Sequence, residues 1–135
     1  SPDARTNAEI AEQIGIQISP WTPYALEGVT LIIDAIFGTG LSRDVEGIAF
    51  DAIEVMNENE SDVISLDIPS GMKCDTGHSL GTCIRAAHTI TFVGMKVGFL
   101  GWDAKQFLGN VEIASIGCPE TLIEKYGMPA SEYDG

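Results

Sequence analysis

The stretch Leu31-Ile32-Ile33-Asp34-Ala35-Ile36-Phe37, followed by Gly38-Thr39-Gly40-Leu41-Ser42-Arg43, decides the fold of this chain. A second stretch of the same design, Val63-Ile64-Ser65-Leu66-Asp67, runs into Ile68-Pro69-Ser70-Gly71. Short β-branched runs of this kind are typical of buried parallel strands. Ligands of open α/β sheets bind beyond the carboxyl ends of the strands. The two aspartates and the two glycine loops therefore predict a binding site at that edge.

The remaining sequence alternates helical and strand patterns, which predicts βαβ units and a parallel sheet. Residues 83–87 are ambiguous between strand and helix, and the glycine-rich residues 94–101 predict a loop. We expect one domain over residues 1–135, an α/β fold built as a three-layer αβα sandwich with a Rossmann-like, mostly parallel sheet. The predicted helices are 3–14, 43–56 and 119–126, and the predicted strands are 16–18, 30–37, 62–67, 89–93 and 110–116.

The charge balance is strongly acidic, with 7 basic and 20 acidic residues and a net charge of −13. This argues against a nucleic-acid partner, because phosphate binding needs clustered lysine and arginine. A soluble acidic surface, a salt-adapted source and an acidic cleft for cations all remain open explanations. No apolar run approaches the ~20 residues of a transmembrane helix, so no membrane partner is expected.

The cysteines are Cys74, Cys83 and Cys118. Their odd number and the absence of a Cys-x-x-Cys spacing argue against a zinc site or a disulfide framework. Reduced thiols fit a cytoplasmic location best, with a mitochondrial one open for a eukaryotic source.

The loop after the first strand is rich in glycine. Glycines let the backbone approach a phosphate, and the N–H groups that open a following helix are anion donors. A tight turn needing positive φ explains the same glycines without a ligand. A dinucleotide-dependent oxidoreductase also fits the strand pattern, but the Gly-x-Gly-x-x-Gly pattern of that class is missing.

Several motifs together resemble the NAD(P)H-hydrate epimerase family, also called the YjeF N-terminal domain. They are Asp34-Ala35-Ile36-Phe37-Gly38-Thr39-Gly40-Leu41, Leu66-Asp67-Ile68-Pro69-Ser70-Gly71 and Asp75-Thr76-Gly77. Arg85-Ala86 and Lys96-Val97-Gly98, which flank the next strand, continue the resemblance. It extends from about residue 1 to residue 119, in matching order and spacing.

The resemblance implies an activity, the epimerisation of the R and S forms of hydrated NADH and NADPH, and a potassium ion near the substrate. By matched position, Asp34 and Ser70 would be potassium ligands, and Asp67 and Lys96 would be catalytic. Met95 stands where the family usually has proline before this lysine. The implied substrate-binding residues are Gly38, Thr39, Gly40, Leu41, Ser42, Arg43, Asp44 and Asp67.

The four residues with an implied ligand or catalytic role can also be explained without a bound ligand. Asp34 and Asp67 are suited to capping the turns that follow their strands. The Ser70 hydroxyl could bond its own backbone, and Lys96 could be a solvated surface lysine.

The family's first strand is followed by an Asn-Asn-Gly-Gly-Asp-Gly loop, which this sequence lacks. The resemblance therefore implies a C-terminal portion of the domain. A homodimer and a dehydratase, as a partner or a fused domain, are further expectations from the family. The principal rival is a non-catalytic scaffold module of the same fold, as found in some dimeric RNA-decapping factors.

Overall fold

A computed structural model describes residues 1–129 of the chain. Four strands form one parallel sheet in the order β1-β2-β3-β4. The strands are β1 (Leu31–Asp34), β2 (Asp62–Leu66), β3 (His88–Phe92) and β4 (Asn110–Ala114). The helices are α1 (Pro2–Gln13), α2 (Gly47–Glu58), α3 (Lys105–Leu108) and α4 (Glu120–Tyr126), with a 3₁₀ helix at Val97–Leu100.

The α/β class and the parallel, Rossmann-like sheet are confirmed. Because all four strands run in the same direction, their carboxyl ends lie along one edge of the sheet. The residues that follow β1, β2 and β3 therefore meet at that edge, as the two strand-end aspartates predicted.

One face of the sheet carries the core. The registers Ile32↔Val63 and Asp34↔Ser65 place alternate residues of β1 and β2 on this face, and all four are buried. Ile53 and Met56 of α2 pack on its β1 side. A second cluster, built from Ile68, Met72, Cys83, Phe99, Ala104 and Leu108, covers the β4 side. On the opposite face, Leu31 and Ile33 are about half exposed.

The segment expected to be a strand at 16–18 is not one. Ile16 and Ile18 are exposed and lie outside the sheet. The helix predicted just before it is confirmed as α1, whose Ser1 hydroxyl accepts a hydrogen bond from the Ala4 N–H at 3.2 Å. The helix buries none of its residues, and its apolar positions lie outside both core clusters.

The helix predicted at 43–56 begins later, at Gly47. Val45 is the reason: its side chain is buried in the core and its N–H donates to the Leu80 carbonyl at 2.9 Å. This contact holds the chain before α2 in a non-helical course. Residues 83–87, ambiguous in sequence, are neither strand nor helix, and the 94–101 loop contains the 3₁₀ helix.

The last strand and helix lie within two residues of their predicted bounds. Residues 130–135 of the expected single domain lie outside the described residues. Among residues 1–129 no helix has the length and apolar character needed to cross a membrane.

Candidate functional site

The centre of the site is a buried carboxylate at the end of β1. Asp34 is fully buried and accepts four hydrogen bonds. Its Oδ1 accepts from the Ser70 hydroxyl at 2.5 Å and from the Ile36 N–H at 3.3 Å. Its Oδ2 accepts from the Ser65 hydroxyl at 2.7 Å and from the Ser70 N–H at 2.9 Å. Both oxygens of this carboxylate are therefore hydrogen-bonded, which offsets the cost of burying it.

Ser70 connects the two glycine loops. Its Oγ donates to Asp34 and accepts a hydrogen bond from the Phe37 N–H at 2.9 Å, and the Phe37 carbonyl lies 3.4 Å away. The loop after β2 is thereby joined to the loop after β1. The structure thus brings Asp34 and Ser70 together, as predicted, and the serine bonds across the site rather than only to its own backbone.

Ser65 is a site residue that the sequence reasoning missed. It lies inside β2, is fully buried, and donates to Asp34. The signal was a small polar residue in an otherwise apolar strand, in the alternation phase that faces the core. Thr89, beside it in the register, is similarly buried and donates to the Leu108 carbonyl at 2.7 Å. Thr91 is buried too, and its Oγ1 has no hydrogen-bond partner within residues 1–129.

The Asp34 carboxylate also acts on a neighbouring thiol. The pKa of Cys83 is raised to about 12, first because the thiol is buried and second because of the negative charge of Asp34. The pKa of Cys74 is also raised, chiefly by burial and next by Asp75. Both changes favour neutral thiols, so neither cysteine is an activated nucleophile.

The second part of the site is an ion pair between the segments that follow β2 and β3. Lys96 Nζ lies 3.1 Å from Asp67 Oδ1. Only 18% of the Lys96 side chain and 26% of the Asp67 side chain is exposed. Lys96 Nζ also donates to the carbonyls of Phe92, at 2.9 Å, and of Gly94, at 3.3 Å. Lys96 is therefore not a solvated surface lysine. The three acceptors match the three N–H donors of an ammonium group.

The backbone at this ion pair is strained. Asp67 has φ 71° and Val93 has φ 70°, so the residues that follow β2 and β3 are both left-handed without being glycine. For a β-branched residue such as valine this is a clear outlier. Strain of this kind costs about 1–3 kcal/mol per residue and concentrates at functional sites.

The loop between β1 and α2 lines two open cavities. One, of about 320 Å³, is lined by Phe37, Leu41, Arg43, Asp44, Val45 and Glu46. The other, of about 500 Å³, is lined by Ile36, Phe37, Gly38, Gly40, Leu41, Ser42 and Arg43. Thr39 is exposed between these residues and lines neither cavity.

The start of α2 corrects one part of the nucleotide-loop prediction. The helix does not follow the glycine loop directly, and its N-cap residue is the acidic Glu46. An anion in these cavities would therefore rely on the loop N–H groups and on Arg43 rather than on the helix N-terminus.

The described residues contain no cluster of three or more histidine, cysteine, aspartate or glutamate side chains suited to a metal ion. They do contain a set of hard oxygen donors, the Asp34 carboxylate, the Ser70 hydroxyl and the Phe37 carbonyl. No ion pair to Asp34 is present in the described part of the chain. Oxygen ligands beside an unpaired buried charge fit a hard monovalent cation.

A parallel sheet with a glycine loop and a carboxylate at neighbouring strand ends defines a Rossmann-like α/β protein with a candidate site at the strand ends. Residues 1–98 match the family described as YjeF-related protein N-terminus. The chain belongs to this family, and the resemblance inferred from the sequence is confirmed.

The curated relatives carry consistent names. The NAD(P)H-hydrate epimerase of Limosilactobacillus reuteri (strain DSM 20016) is 44% identical over 90 residues, which are 67% of this chain and 42% of the relative. That of Oenococcus oeni is 36% identical over 122 residues, covering 89% and 57%. A bifunctional NAD(P)H-hydrate repair enzyme of Moorella thermoacetica is 34% identical over 129 residues, covering 90% and 24%. The chain thus spans about half or less of the length of these relatives.

Proposed function

We propose that the chain carries the strand-end site of an NAD(P)H-hydrate epimerase, which interconverts the R and S forms of hydrated NADH and NADPH. The observation that carries the proposal is the Asp67–Lys96 ion pair, held at the sheet edge between two strained strand ends. Membership of the YjeF-related family and relatives named NAD(P)H-hydrate epimerase support it.

Asp67 is the proposed general acid and base. Epimerisation at the hydroxylated ring carbon requires either reversible loss of the hydroxyl or ring opening, and both involve proton transfer. Lys96 fixes Oδ1 of the carboxylate, while Oδ2 makes no hydrogen bond within residues 1–129. An accessible carboxylate oxygen on a fixed side chain can take a proton from the substrate and return it. Lys96 is assigned with Asp67 to the catalytic pair.

The loop residues Gly38 to Asp44 are the proposed nucleotide contacts. All of them except Thr39 line the two cavities, which are open and partly polar, and the bare glycine backbone allows close approach of a phosphate. Arg43 lines both cavities and would form a charge-assisted contact with the phosphate. In a chain of net charge −13, such a local positive group is needed to attract an anionic nucleotide.

Asp34 and Ser70 are the proposed potassium ligands. A bound cation would offset the buried charge of Asp34, whose compensation among the described residues comes from hydrogen bonds alone. It would also fix the relative position of the two loops through Ser70. When bound, potassium would supply positive charge at the Asp34 and Ser70 oxygens.

The remaining expectations belong to the same proposal. A relative named as a bifunctional repair enzyme supports a dehydratase partner or domain. A homodimer stays an expectation from the family. A cytoplasmic location is supported by the three free cysteines.

The test is an epimer-relaxation assay. One purified epimer of hydrated NADPH is incubated with the chain, and the other epimer is quantified by chromatography against the uncatalysed rate. The same assay uses a chimaera in which the chain follows the upstream residues of the Limosilactobacillus reuteri relative. Potassium chloride is compared with tetramethylammonium chloride at equal ionic strength.

Acceleration that depends on potassium, in the chain or in the chimaera, is the expected result. Inactivity of both proteins, when circular dichroism shows that both are folded, would contradict the proposal. That outcome would favour the non-catalytic scaffold module instead.

A further inference from the structure

A turn that the proposed function leaves unused packs very closely against the segment that carries Lys96. The turn is formed by residues 73–77, where the N–H groups of Thr76 and Gly77 donate to the Lys73 carbonyl. The Gly98 N–H donates to the Cys74 carbonyl at 2.7 Å and joins the turn to the 3₁₀ helix. Two backbones are thus in direct contact with no side chain between them.

Three glycines make this approach possible: Gly77, Gly98 and Gly101, here called the glycine interlock. A Cβ atom on Gly77 would overlap the Gly98 carbonyl oxygen, and one on Gly98 would overlap the carbonyl oxygen of Cys74. A Cβ atom on Gly101 would lie 2.5 Å from the Thr76 carbonyl oxygen. Each added methyl group therefore forces the two backbones apart.

The interlock is connected to both members of the ion pair by short segments. Lys96 directly precedes the 3₁₀ helix, and its carbonyl accepts from the Phe99 N–H at 3.0 Å. On the other side, Ile68 follows Asp67 and packs in one buried cluster with Met72 and Phe99. A displacement at the interlock is therefore transmitted to the relative position of Asp67 and Lys96.

The ion pair is sensitive to such a displacement. The Lys96 ammonium group has three acceptors: the carbonyl of Phe92 at the end of β3, the carbonyl of Gly94 in its own loop, and Asp67 Oδ1. A Cβ atom added at these glycines would lie about 1 Å closer to the facing carbonyl oxygen than an ordinary van der Waals contact allows. Misplacement by about 1 Å is enough to impair a catalytic arrangement.

We propose that Gly77, Gly98 and Gly101 are positioning residues, which set the distance between Lys96 and Asp67 by direct backbone packing of the 73–77 turn on the 3₁₀ helix. The proposal rests on the proposed function for its catalytic consequence. Its structural consequence, the distance between Lys96 and Asp67, can be tested without activity. The proposal also gives the Asp75-Thr76-Gly77 turn a role.

The experiment measures the Lys96 ammonium group directly in the 135-residue chain labelled with ¹⁵N-lysine. In the intact protein, three acceptors slow the exchange of its protons with water, so it gives a resolved ¹H–¹⁵N signal, assigned by its loss in Lys96→Arg. Gly98→Ala should accelerate that exchange by about tenfold, the factor that corresponds to one lost hydrogen bond of 1.4 kcal/mol.

Gly109→Ala is the matched control. A Cβ atom on Gly109 would overlap the Ala87 carbonyl oxygen, away from the interlock, just as one on Gly98 overlaps the Cys74 carbonyl oxygen. Gly109 has a positive φ, which Gly98 does not share, so the control carries at least as much backbone strain. Equal urea midpoints for the two variants would show that the overall loss of stability is comparable. The control should leave the Lys96 exchange rate unchanged. If Gly98→Ala does not fold, Gly101→Ala, at a glycine of ordinary φ (−64°), takes its place.

Unchanged Lys96 exchange in the folded interlock variant, or equal acceleration in Gly109→Ala, would overturn the proposal. In the chimaera, the interlock variant should lower kcat while KM stays within about twofold, because the nucleotide loop is untouched. A chimaera that shows no activity in any form, together with the expected exchange result, would refute the proposed function and leave the positioning inference standing.

Discussion

Replacing Asp34 by asparagine tests the buried hydrogen-bond network at the centre of the site. The carboxylate accepts from two hydroxyls and two backbone N–H groups. An amide has only one oxygen. If its nitrogen replaces Oδ2, it faces the Ser70 N–H, and if it replaces Oδ1, it faces the Ile36 N–H. A hydroxyl can rotate to accept, but a backbone N–H cannot, so either orientation leaves a buried donor unsatisfied.

The expected loss follows from these contacts. An unsatisfied buried donor costs about 1–3 kcal/mol, and hydrogen bonds to a charged group contribute about 1.5–3 kcal/mol each. Asparagine also removes a buried charge, and this partly offsets the loss of stability. We expect a net loss of about 2–4 kcal/mol in the free energy of unfolding. With a urea m-value of about 2 kcal/mol/M, the midpoint should fall by about 1–2 M.

The assay is equilibrium unfolding in urea, followed by circular dichroism, for the original chain, Asp34→Asn and the control Asp51→Asn. Asp51 is exposed on α2 and should tolerate the same change within about 0.5 kcal/mol. An Asp34→Asn midpoint equal to or above that of the original chain would refute the reasoning. It would show that burial of the charge costs more than the four hydrogen bonds return.

Three further predictions concern single side chains. Thr91→Val should leave the urea midpoint unchanged or raise it, because the buried Thr91 hydroxyl has no hydrogen-bond partner within residues 1–129. Thr89→Val removes the hydrogen bond to the Leu108 carbonyl and should lower the free energy of unfolding by about 1–2 kcal/mol. Equal losses of stability in the two variants would contradict this prediction. The pKa of Cys83 is raised to about 12, so about one Cys83 side chain in ten thousand is a thiolate at pH 8. Iodoacetamide should therefore label Cys83 only after unfolding. Equal labelling rates in the folded and unfolded states would contradict this prediction. Arg43→Ala should weaken NADPH binding about tenfold in calorimetry, while replacing the arginine of α1 should not, and an unchanged affinity would remove Arg43 from the site.

The parallel sheet and its polar edge could be predicted because the decisive signals are local. Each β-branched run that ends in aspartate and a glycine loop specifies a strand, its direction and its carboxyl end. The predicted helix boundary at α2 was wrong because a long-range contact, from the Val45 N–H to the Leu80 carbonyl, determines the chain's course there. Such a contact leaves no periodic signal in the sequence.

The candidate site also contains residues that the sequence marks locally and one that it does not. Asp34, Asp67, Ser70 and Lys96 were found because motifs mark them. Ser65 was missed, because a serine in an apolar strand shows its role only when the register places it beside Asp34. The assigned catalytic and binding roles stay predictions.

The most direct test of the account is the epimer-relaxation rate of Asp67→Asn, beside the exposed control Asp51→Asn, in the active form of the protein. Asparagine keeps the shape of Asp67 but cannot exchange a proton with the substrate, and general acid–base catalysis contributes about 10²–10⁴-fold. The account predicts a fall of at least about 100-fold for Asp67→Asn, with NADPH binding largely retained and Asp51→Asn close to the original rate. Full epimerase activity in Asp67→Asn would contradict the account, because proton transfer would then have to come from another group.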